Sequence, residues 1–137
     1  MKKSAVMTLA NALHYKKHID RPTALRRAWR MIKQAVFNAK AVGVSFGLRQ
    51  VALQHLKAYS PARISVTLKA EPNNKHDKHA IAVLVSVDNG KAYKIGYLPS
   101  SSIWTGLVNR KQVRAAIDII TGGNGKMLGF NFKLSIV

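Results

Sequence analysis

The chain has 137 residues, about the length of one domain, and 47% of them are hydrophobic, which is enough to bury a core without cross-links. It contains no cysteine, so disulfides and thiolate metal sites are excluded. No apolar run approaches the roughly 20 residues of a membrane-spanning helix, and the short basic N-terminus is a poor match to a signal peptide.

The net charge of +18 is the strongest signal in the composition, since 23 Lys and Arg stand against 5 Asp and Glu. Such an excess favours a polyanionic partner, above all nucleic acid, because neutralising its phosphates releases condensed counterions. An anionic membrane surface and a role in solubility alone are the alternatives. Residues 1–40 hold ten basic residues and one acid, so the charge is densest in the N-terminal segment.

This N-terminal segment is predicted to be helical, with a short helix over residues 5–15 and a second helix that Thr23 caps. In the second helix, apolar residues recur at spacings of four, three and four, which places them on one face. They are Leu25, Trp29, Ile32 and Val36. We therefore expect Trp29 to be buried against the rest of the protein. The cations that point elsewhere can contact phosphate or form a solvated face; they are Arg26, Arg27, Arg30 and Lys33.

From residue 40 the pattern becomes that of short strands with two small helices, which is typical of a partly open barrel or sandwich. An Asn89–Gly90 turn predicts a hairpin, because both residues tolerate positive φ. The predicted elements are a strand at 40–46, a helix at 48–59, strands at 63–70, 79–87 and 91–98, a helix at 100–108, a strand at 112–120, a loop at 121–126 and a strand at 127–137.

The most specific segment follows the strand at 63–70 and precedes the strand at 79–87. Pro72 fixes φ, and the side chains of Asn73 and Asn74 can bond nearby backbone amides, so the segment forms a rigid elbow. From composition alone, a β-turn that satisfies its own hydrogen bonds is the simplest interpretation.

Several short patterns, in this order, resemble the HIRAN domain. They are VGVSF at 42–46, Arg49 before a helix, EPNN at 71–74 followed by Asp77, Ala80, Ile81 and Val83, and IGYLP at 95–99. The resemblance implies an α+β protein: a modified OB-like small β-barrel with two short helices at 40–137, preceded by a basic helical extension at 1–39. It further implies binding of single-stranded DNA, with capture of a free 3′-hydroxyl end in some members. Without a helicase module, the chain is similar to the standalone bacterial or phage type, an accessory to DNA repair or replication.

The resemblance assigns candidate nucleic-acid-binding residues one position at a time. Phe46 matches an aromatic position that stacks on a terminal base, with a core phenylalanine as the alternative. Asn73 and Asn74 match loop asparagines that shape an end-binding pocket. Asp77 matches the acid that meets the terminal sugar hydroxyl, and Tyr97 matches a pocket position that is often aromatic or histidine.

Other positions depart from the family pattern. Lys75–His76 replaces the usual Pro-Tyr, which removes a stacking tyrosine but leaves a histidine that can stack and a lysine that can pair with phosphate. Ser100 stands where relatives can carry a phosphate-binding lysine, and Ser45 where an end-binding relative has arginine. Strict 3′-end specificity is therefore open, whereas general single-strand binding, with Arg49 among its cations, fits the sequence.

Enzymatic chemistry has little support. His76, Asp77 and His79 lie close together but do not form a recognised ligand spacing. Five acids in the whole chain are too few for a clustered two-metal nuclease site, and TGGNGK lacks the glycine pattern of a P-loop. We expect no enzyme activity, no metal and no other cofactor.

Together these features predict a cytoplasmic, nucleoid-associated protein that binds nucleic acid, most favourably single-stranded DNA, and no membrane. One concave site should be lined by Phe46, Asn73, Asn74, His76, Asp77 and Tyr97. Two alternatives stay open: a module that binds a protein partner, and a charge-driven binder of duplex DNA or RNA.

Overall fold

The computed structural model describes residues 2–34, 36–99 and 101–136, and the side chains of these except Lys2 and Lys3. Its elements are α1 (Lys2–Lys16), α2 (Arg21–Lys33), β1 (Val36–Lys40), α3 (Arg49–Leu56), a 3₁₀ turn (Pro61–Arg63), β2 (Ile64–Ala70), β3 (Ile81–Val87), β4 (Tyr93–Tyr97), α4 (Ser101–Asn109), β5 (Val113–Gly123) and β6 (Lys126–Ile136). None of the helices in these ranges has the length and hydropathy that a bilayer-spanning helix requires.

The six strands form one antiparallel sheet in the order β1-β6-β5-β2-β3-β4. Two residues just after β1, Ala41 and Val42, join the β1 side of this sheet to β4, the strand at its other edge. The Ala41 N–H donates to the Phe130 carbonyl of β6 at 2.9 Å, and Val42 exchanges two 2.9 Å hydrogen bonds with Tyr97 at the end of β4. The sheet is thereby curled into a small, partly closed barrel, which confirms the predicted α+β architecture.

We call the hydrogen-bonded contact between Val42 and Tyr97 the seam of the barrel. The seam depends on the absence of a side chain at Gly96. A Cβ atom on Gly96 would lie 2.7 Å from the Val42 carbonyl oxygen and 3.2 Å from the Ala41 Cβ. Because atoms cannot approach so closely, any larger residue would push the two chain segments apart. This contact gives a physical reason for the glycine in the IGYLP pattern.

The hydrophobic core fills the barrel and continues under the helices. Phe130 and Phe132 of β6 are fully buried, as is Leu53 of α3. Trp104 of α4 packs edge-on against Phe37 of β1, with ring centroids 5.4 Å apart. Each such side chain contributes about 1.5–3 kcal/mol by leaving water, so the core that supports the seam is substantial.

The N-terminal helices pack onto the barrel as part of this same core. Helix α1 contacts both α2 and α4 and buries Val6 and Leu9. Helix α2 buries Ala24, Ala28 and Ile32. The predicted docking of the basic segment is confirmed, and α1 makes the contact with α4.

Two predictions about α2 are wrong. Asp20 caps the helix, not Thr23: its Oδ2 accepts the Thr23 N–H at 3.1 Å. The buried face consists of Ala24, Ala28 and Ile32, so Ile32 is buried as predicted, whereas Trp29 and Leu25 are 43% and 40% exposed. Small residues allow two helices to approach closely, and the large apolar side chains lie outside that contact.

The predicted strand at 40–46 is also wrong. β1 covers Val36–Lys40 and pairs with β6, so Val36 belongs to the sheet and not to α2. Gly43 at φ 72° ends the extended run, and the chain then turns into α3. The predicted division of the chain between residues 39 and 40 falls inside β1 and stays a prediction.

The remaining elements occur within a few residues of their expected bounds, and the 121–126 loop is shorter because β5 extends to Gly123. The hairpin between β3 and β4 is present as predicted. Its left-handed residues are Asp88 at φ 52° and Asn89 at φ 59°, one position earlier than the Asn-Gly pair suggested.

Candidate nucleic-acid interface

A cavity of about 600 Å³ opens where the loop after β1, the elbow after β2 and the end of β4 meet. We call it the barrel cavity. Its lining residues are Val42, Phe46, Arg49, Asn74, His76, Asp77, Ala80, Tyr97, Leu98, Pro99 and Ser101. The volume lies in the range of pockets that hold small ligands, so it is large enough for a nucleotide.

The structure brings most of the predicted site residues to this cavity. Five of the six expected at one concave site line it, and Arg49 lines it too. Asn73 is exposed on the elbow and does not line the cavity; Asn74 is the asparagine that does, and it bonds to Glu71. Lys75 is likewise exposed in the elbow but is not a lining residue. Ser100 lies outside the described residues.

Phe46 is an exposed aromatic residue, with 67% of its surface accessible, so the core alternative is wrong. Arg49 holds its loop: Nη1 donates to the Gly43 carbonyl at 2.6 Å. The Arg49 Cζ lies 6.0 Å from the Phe46 ring centroid and 5.4 Å from that of Tyr97. One guanidinium therefore bridges two aromatic rings at the cavity, within cation–π range of both.

Gln50 gives this loop a second anchor. Its Nε2 donates to the carbonyls of Val44 at 3.1 Å and Leu128 at 2.8 Å, and its Oε1 accepts the Leu128 N–H at 2.9 Å. These bonds tie the Phe46 loop to β6. The sequence carries no signal for Gln50, because its partner on β6 is 78 residues away.

Asn74 organises the elbow. Its Oδ1 accepts the N–H groups of His76 at 2.9 Å and Asp77 at 3.1 Å, and its Nδ2 donates to Glu71 Oε1 at 3.0 Å. The Asp77 Oδ1 accepts the His79 N–H at 2.8 Å. The elbow is thus a turn that bonds to itself, as composition suggested, and it also forms a wall of the cavity.

Asp77 and Ser101 place a carboxylate and a hydroxyl side by side at the cavity wall. The Ser101 Oγ lies 3.5 Å from Asp77 Oδ2, at the limit of a hydrogen bond. Ser101 is the first residue of α4 and is only 7% exposed. Sequence reasoning missed Ser101, although its neighbour Ser100 was a candidate.

Tyr97 is fixed by a charged pair beside it. Its hydroxyl donates to Glu71 Oε1 at 2.8 Å and accepts from Lys94 Nζ at 2.9 Å, while Lys94 Nζ lies 2.7 Å from Glu71 Oε2. With both hydroxyl functions bonded, the ring is held in place against the cavity. Sequence reasoning missed this supporting role of Glu71 and Lys94.

The same network sets the ionisation of the pair. Burial, the largest single influence, raises the pKa of Glu71, but hydrogen bonds from Lys94, Asn74 and Tyr97 outweigh it, so the pKa is lower than its ordinary value. The hydrogen bond with Glu71, and then that with Tyr97, raises the pKa of Lys94. Both groups are therefore charged at neutral pH.

The four predicted cations of α2 lie apart from the barrel cavity, on an exposed helix face. Among the described residues, the ion pairs are Arg63–Asp88 and Lys94–Glu71, and neither involves α2. Within the same residues no group of three or more His, Asp or Glu side chains is arranged like a metal site.

A curled antiparallel barrel with an aromatic-lined cavity and a strongly basic surface is the architecture of a nucleic-acid-binding domain. The HIRAN domain family matches residues 36–136, from the first residue of β1 almost to the C-terminus, so the chain belongs to the HIRAN domain family. HIRAN domains bind nucleic acid, which supports DNA binding by this chain in general terms.

Among solved structures, the crystal structure of the HIRAN domain of human HLTF is similar, with a TM-score of 0.45 and 19% sequence identity over 74% of this chain and 74% of that one. No curated protein matches the chain significantly.

Proposed function

We propose that this protein binds single-stranded DNA without enzymatic activity, and that it holds an unpaired nucleotide, preferably one at a 3′ end, in the barrel cavity. The observation that carries the proposal is the exposed Phe46 ring on an anchored loop, which lines the same cavity as Tyr97 and the elbow. In the cell, such an activity corresponds to a nucleoid-associated accessory of DNA repair or replication.

Phe46 is suited to stack on a base. Every base has a π-face, and stacking on an aromatic side chain contributes about 1–3 kcal/mol per base. Because Arg49 and Gln50 already hold the loop, little conformational freedom remains to be lost on binding. The Arg49 guanidinium adds a positive charge beside the ring for a neighbouring phosphate.

Asp77 is suited to select a hydroxyl over a phosphate. A carboxylate accepts a hydrogen bond from a sugar hydroxyl but repels a phosphate at the same place. The Ser101 hydroxyl next to it can both donate and accept, so it can complete the contact with a terminal 3′-hydroxyl. Lys75, His76 and Asn73 are exposed in the elbow, where they can contact the preceding nucleotides.

The test is fluorescence anisotropy with one labelled strand in three forms: free 3′-hydroxyl, 3′-phosphate, and the same strand in a blunt duplex. We expect the free 3′-hydroxyl form to bind most tightly. Phe46→Ala should weaken its binding roughly 5- to 150-fold, the equivalent of one lost stack. The matched control is Leu48→Ala: Leu48 is 80% exposed in the same loop but does not line the cavity, so binding should not change.

Each other result has a definite meaning. Equal affinity for both 3′ forms, with a loss in Phe46→Ala, would retain single-strand binding and remove end selection. Equal affinity for duplex, with no effect of Phe46→Ala, would replace the proposal with charge-driven binding. No binding to any form would favour a protein partner, and metal-dependent cleavage of the strand would show an enzyme.

A further inference from the structure

The outward face of α2 carries an aromatic ring beside a row of cations. Trp29 is 43% exposed, and Leu25, one turn earlier, is 40% exposed. Helical periodicity puts Lys33 one turn after Trp29, and Arg26 and Arg30 next to it on the solvent side. All three cations are exposed. The face therefore combines a flat apolar ring with dense positive charge.

Neither ion pair of the described residues involves this face, although the Asp20 carboxylate at the start of α2 interacts with Arg26 through space. Helix α2 spans Arg21–Lys33 and contains five basic residues and no acid. Arg26 donates to the Thr23 hydroxyl at 3.3 Å, a neutral partner. In the part of the chain that the structure describes, no cation lies over the Trp29 ring, although arginines cover the rings of Tyr15, Phe46, Tyr59 and Tyr97.

The exposure of Trp29 is not explained by packing. The other tryptophan of the chain, Trp104, is 7% exposed and belongs to the core. Burying an indole would add stability, since aromatic side chains dominate core energetics. The inward face of α2 is instead made of alanines and Ile32, which leaves the indole available to a partner.

We propose that this outward face of α2 is a second single-strand site, in which Trp29 stacks on a base while Arg26, Arg30 and Lys33 neutralise neighbouring phosphates. This second site takes only its class of ligand, single-stranded DNA, from the proposed function, because no α2 residue lines the barrel cavity. Stacking needs an unpaired base, which a duplex offers only after base flipping. The 13 residues of α2 extend about 20 Å, long enough to follow several phosphates.

The chemistry of the face favours nucleic acid over a membrane surface. A helix that lies in a bilayer interface inserts a broad apolar face. In α2 that broad face is used inside the protein, and the exposed apolar groups are Leu25 and Trp29. The three cations beside one ring match a single strand, whose phosphates alternate with stackable bases.

Two sites in one protein imply a dependence on strand length. A strand long enough to reach both is held by an intramolecular second contact, so its affinity exceeds that for a short strand by more than the added length alone explains. A short strand can occupy the barrel cavity only, or α2 only.

The test uses the full chain and three probes: a 20-nucleotide oligothymidylate, an abasic strand of the same length, and vesicles of phosphatidylglycerol with phosphatidylcholine. We expect the oligothymidylate to quench tryptophan emission, because Trp104 is shielded and Trp29 is not. The abasic strand, which has phosphates but no bases, should bind more weakly and quench little.

Two substitutions separate stacking from general apolar contact. Trp29→Leu should weaken oligothymidylate binding about fivefold or more, and Trp29→Phe, which keeps a ring, should restore most of the affinity. Met7→Ala is the matched control, since Met7 is 51% exposed on α1 outside the cation row. Unchanged binding in Trp29→Leu, equal quenching by the abasic strand, or quenching by vesicles in place of DNA would each overturn the proposal.

The proposals for the two sites can be contradicted independently. If Phe46→Ala has no effect while Trp29→Leu does, the barrel cavity is removed as a site and the α2 site stands. If the reverse holds, only the cavity stands. Measuring the double variant shows whether the two losses multiply, as separate sites require.

Discussion

The barrel cavity and the outward face of α2 differ in how their polar groups are used. At the cavity, Asn74 and Tyr97 are both bonded to Glu71 beside them, Tyr97 is also bonded to Lys94, and the cation Arg49 shares the wall with Asp77. On α2 the charges are of one sign and have no acidic partner within the helix. A bonded pocket selects by shape and hydrogen bonding, whereas an unpaired cationic surface supplies affinity that depends on salt.

The two regions also differ in how the chain builds them. The cavity joins residues from the β1–α3 loop, the elbow, β4 and α4, so it exists only when the barrel closes. The α2 face comes from one helix, which packs mainly against α1, while Ala28 and Ile32 on its other side join the common core. Changes that open the barrel should therefore damage the first region and spare the second.

The largest effect on DNA binding is expected from removing four of the five positive charges of α2. Changing Arg26, Arg27, Arg30 and Lys33 to Gln should lower single-strand affinity by about two orders of magnitude at moderate salt and reduce the slope of log K against log salt by about 3. Anisotropy titrations from about 50 to 200 mM NaCl measure both. Phe46→Ala should leave the slope unchanged, and a slope that stays the same in the α2 variant would contradict a phosphate role for these cations.

Opening the seam is the next largest perturbation. Gly96→Ala places a Cβ 2.7 Å from the Val42 carbonyl oxygen, so we expect a loss of about 1–3 kcal/mol in the free energy of unfolding. Urea unfolding followed by circular dichroism measures this loss. Folded Gly96→Ala protein should lose the Phe46-dependent part of DNA binding and keep the Trp29-dependent quenching. Wild-type stability in this variant would show that the seam tolerates a wider spacing.

Glu71→Gln is expected to have a smaller effect on stability, and this effect should depend on pH. The pKa of Glu71 is lowered in the folded protein, so its carboxylate stabilises the fold above the ordinary value of 4.5, and this contribution is lost as the pH falls through the folded pKa. At neutral pH, the free energy of unfolding of the wild-type protein should exceed that of Glu71→Gln by about 1 kcal/mol. The difference should vanish in acid.

Thermal melts of the two proteins across this range test the prediction. Asp20 and Asp88 also have lowered pKa values, but they are the same in both proteins, so the difference isolates Glu71. A difference that persists at the acid end would mean that the Gln side chain itself disturbs the elbow.

The smallest effect is expected from Arg63→Ala, which belongs to neither region. Arg63 and Asp88 form a hydrogen-bonded ion pair, but their side chains are 51% and 53% exposed. Solvent and salt screen such a pair, so the melting temperature should change little and the Kd for DNA not at all. A clear loss of affinity would reveal a third contact surface near the β3–β4 hairpin.

The barrel was largely predictable from the sequence because most of its strands alternate and its turns carry Asn, Gly and Pro. The α2 face was not, since Leu25, Trp29 and Ile32 fit one helical stripe, of which the structure buries Ile32 and leaves Leu25 and Trp29 exposed. Packing through Ala24 and Ala28 leaves no hydrophobic signal, because alanine is equally common on exposed helix faces.

The cavity was predictable residue by residue only where a family pattern marks it. Asn74, Asp77 and Tyr97 belong to short patterns that resemble the HIRAN domain, and all three line the cavity. Ser101 and Gln50 were missed, since each acts through a partner that is distant in the chain, Asp77 and Leu128 respectively. Such pairings appear only when the barrel brings its strands together.

Tyr97 takes part in both ligand contact and closure of the barrel. Its ring lines the cavity, while its N–H and carbonyl form the two hydrogen bonds to Val42 that join the sheet edges. Local opening that separates these edges must also disturb a nucleotide in contact with the ring. Bound DNA should therefore slow amide hydrogen exchange at Val42 and Tyr97 in proportion to its occupancy, and exchange at this pair reads out cavity binding from inside the fold.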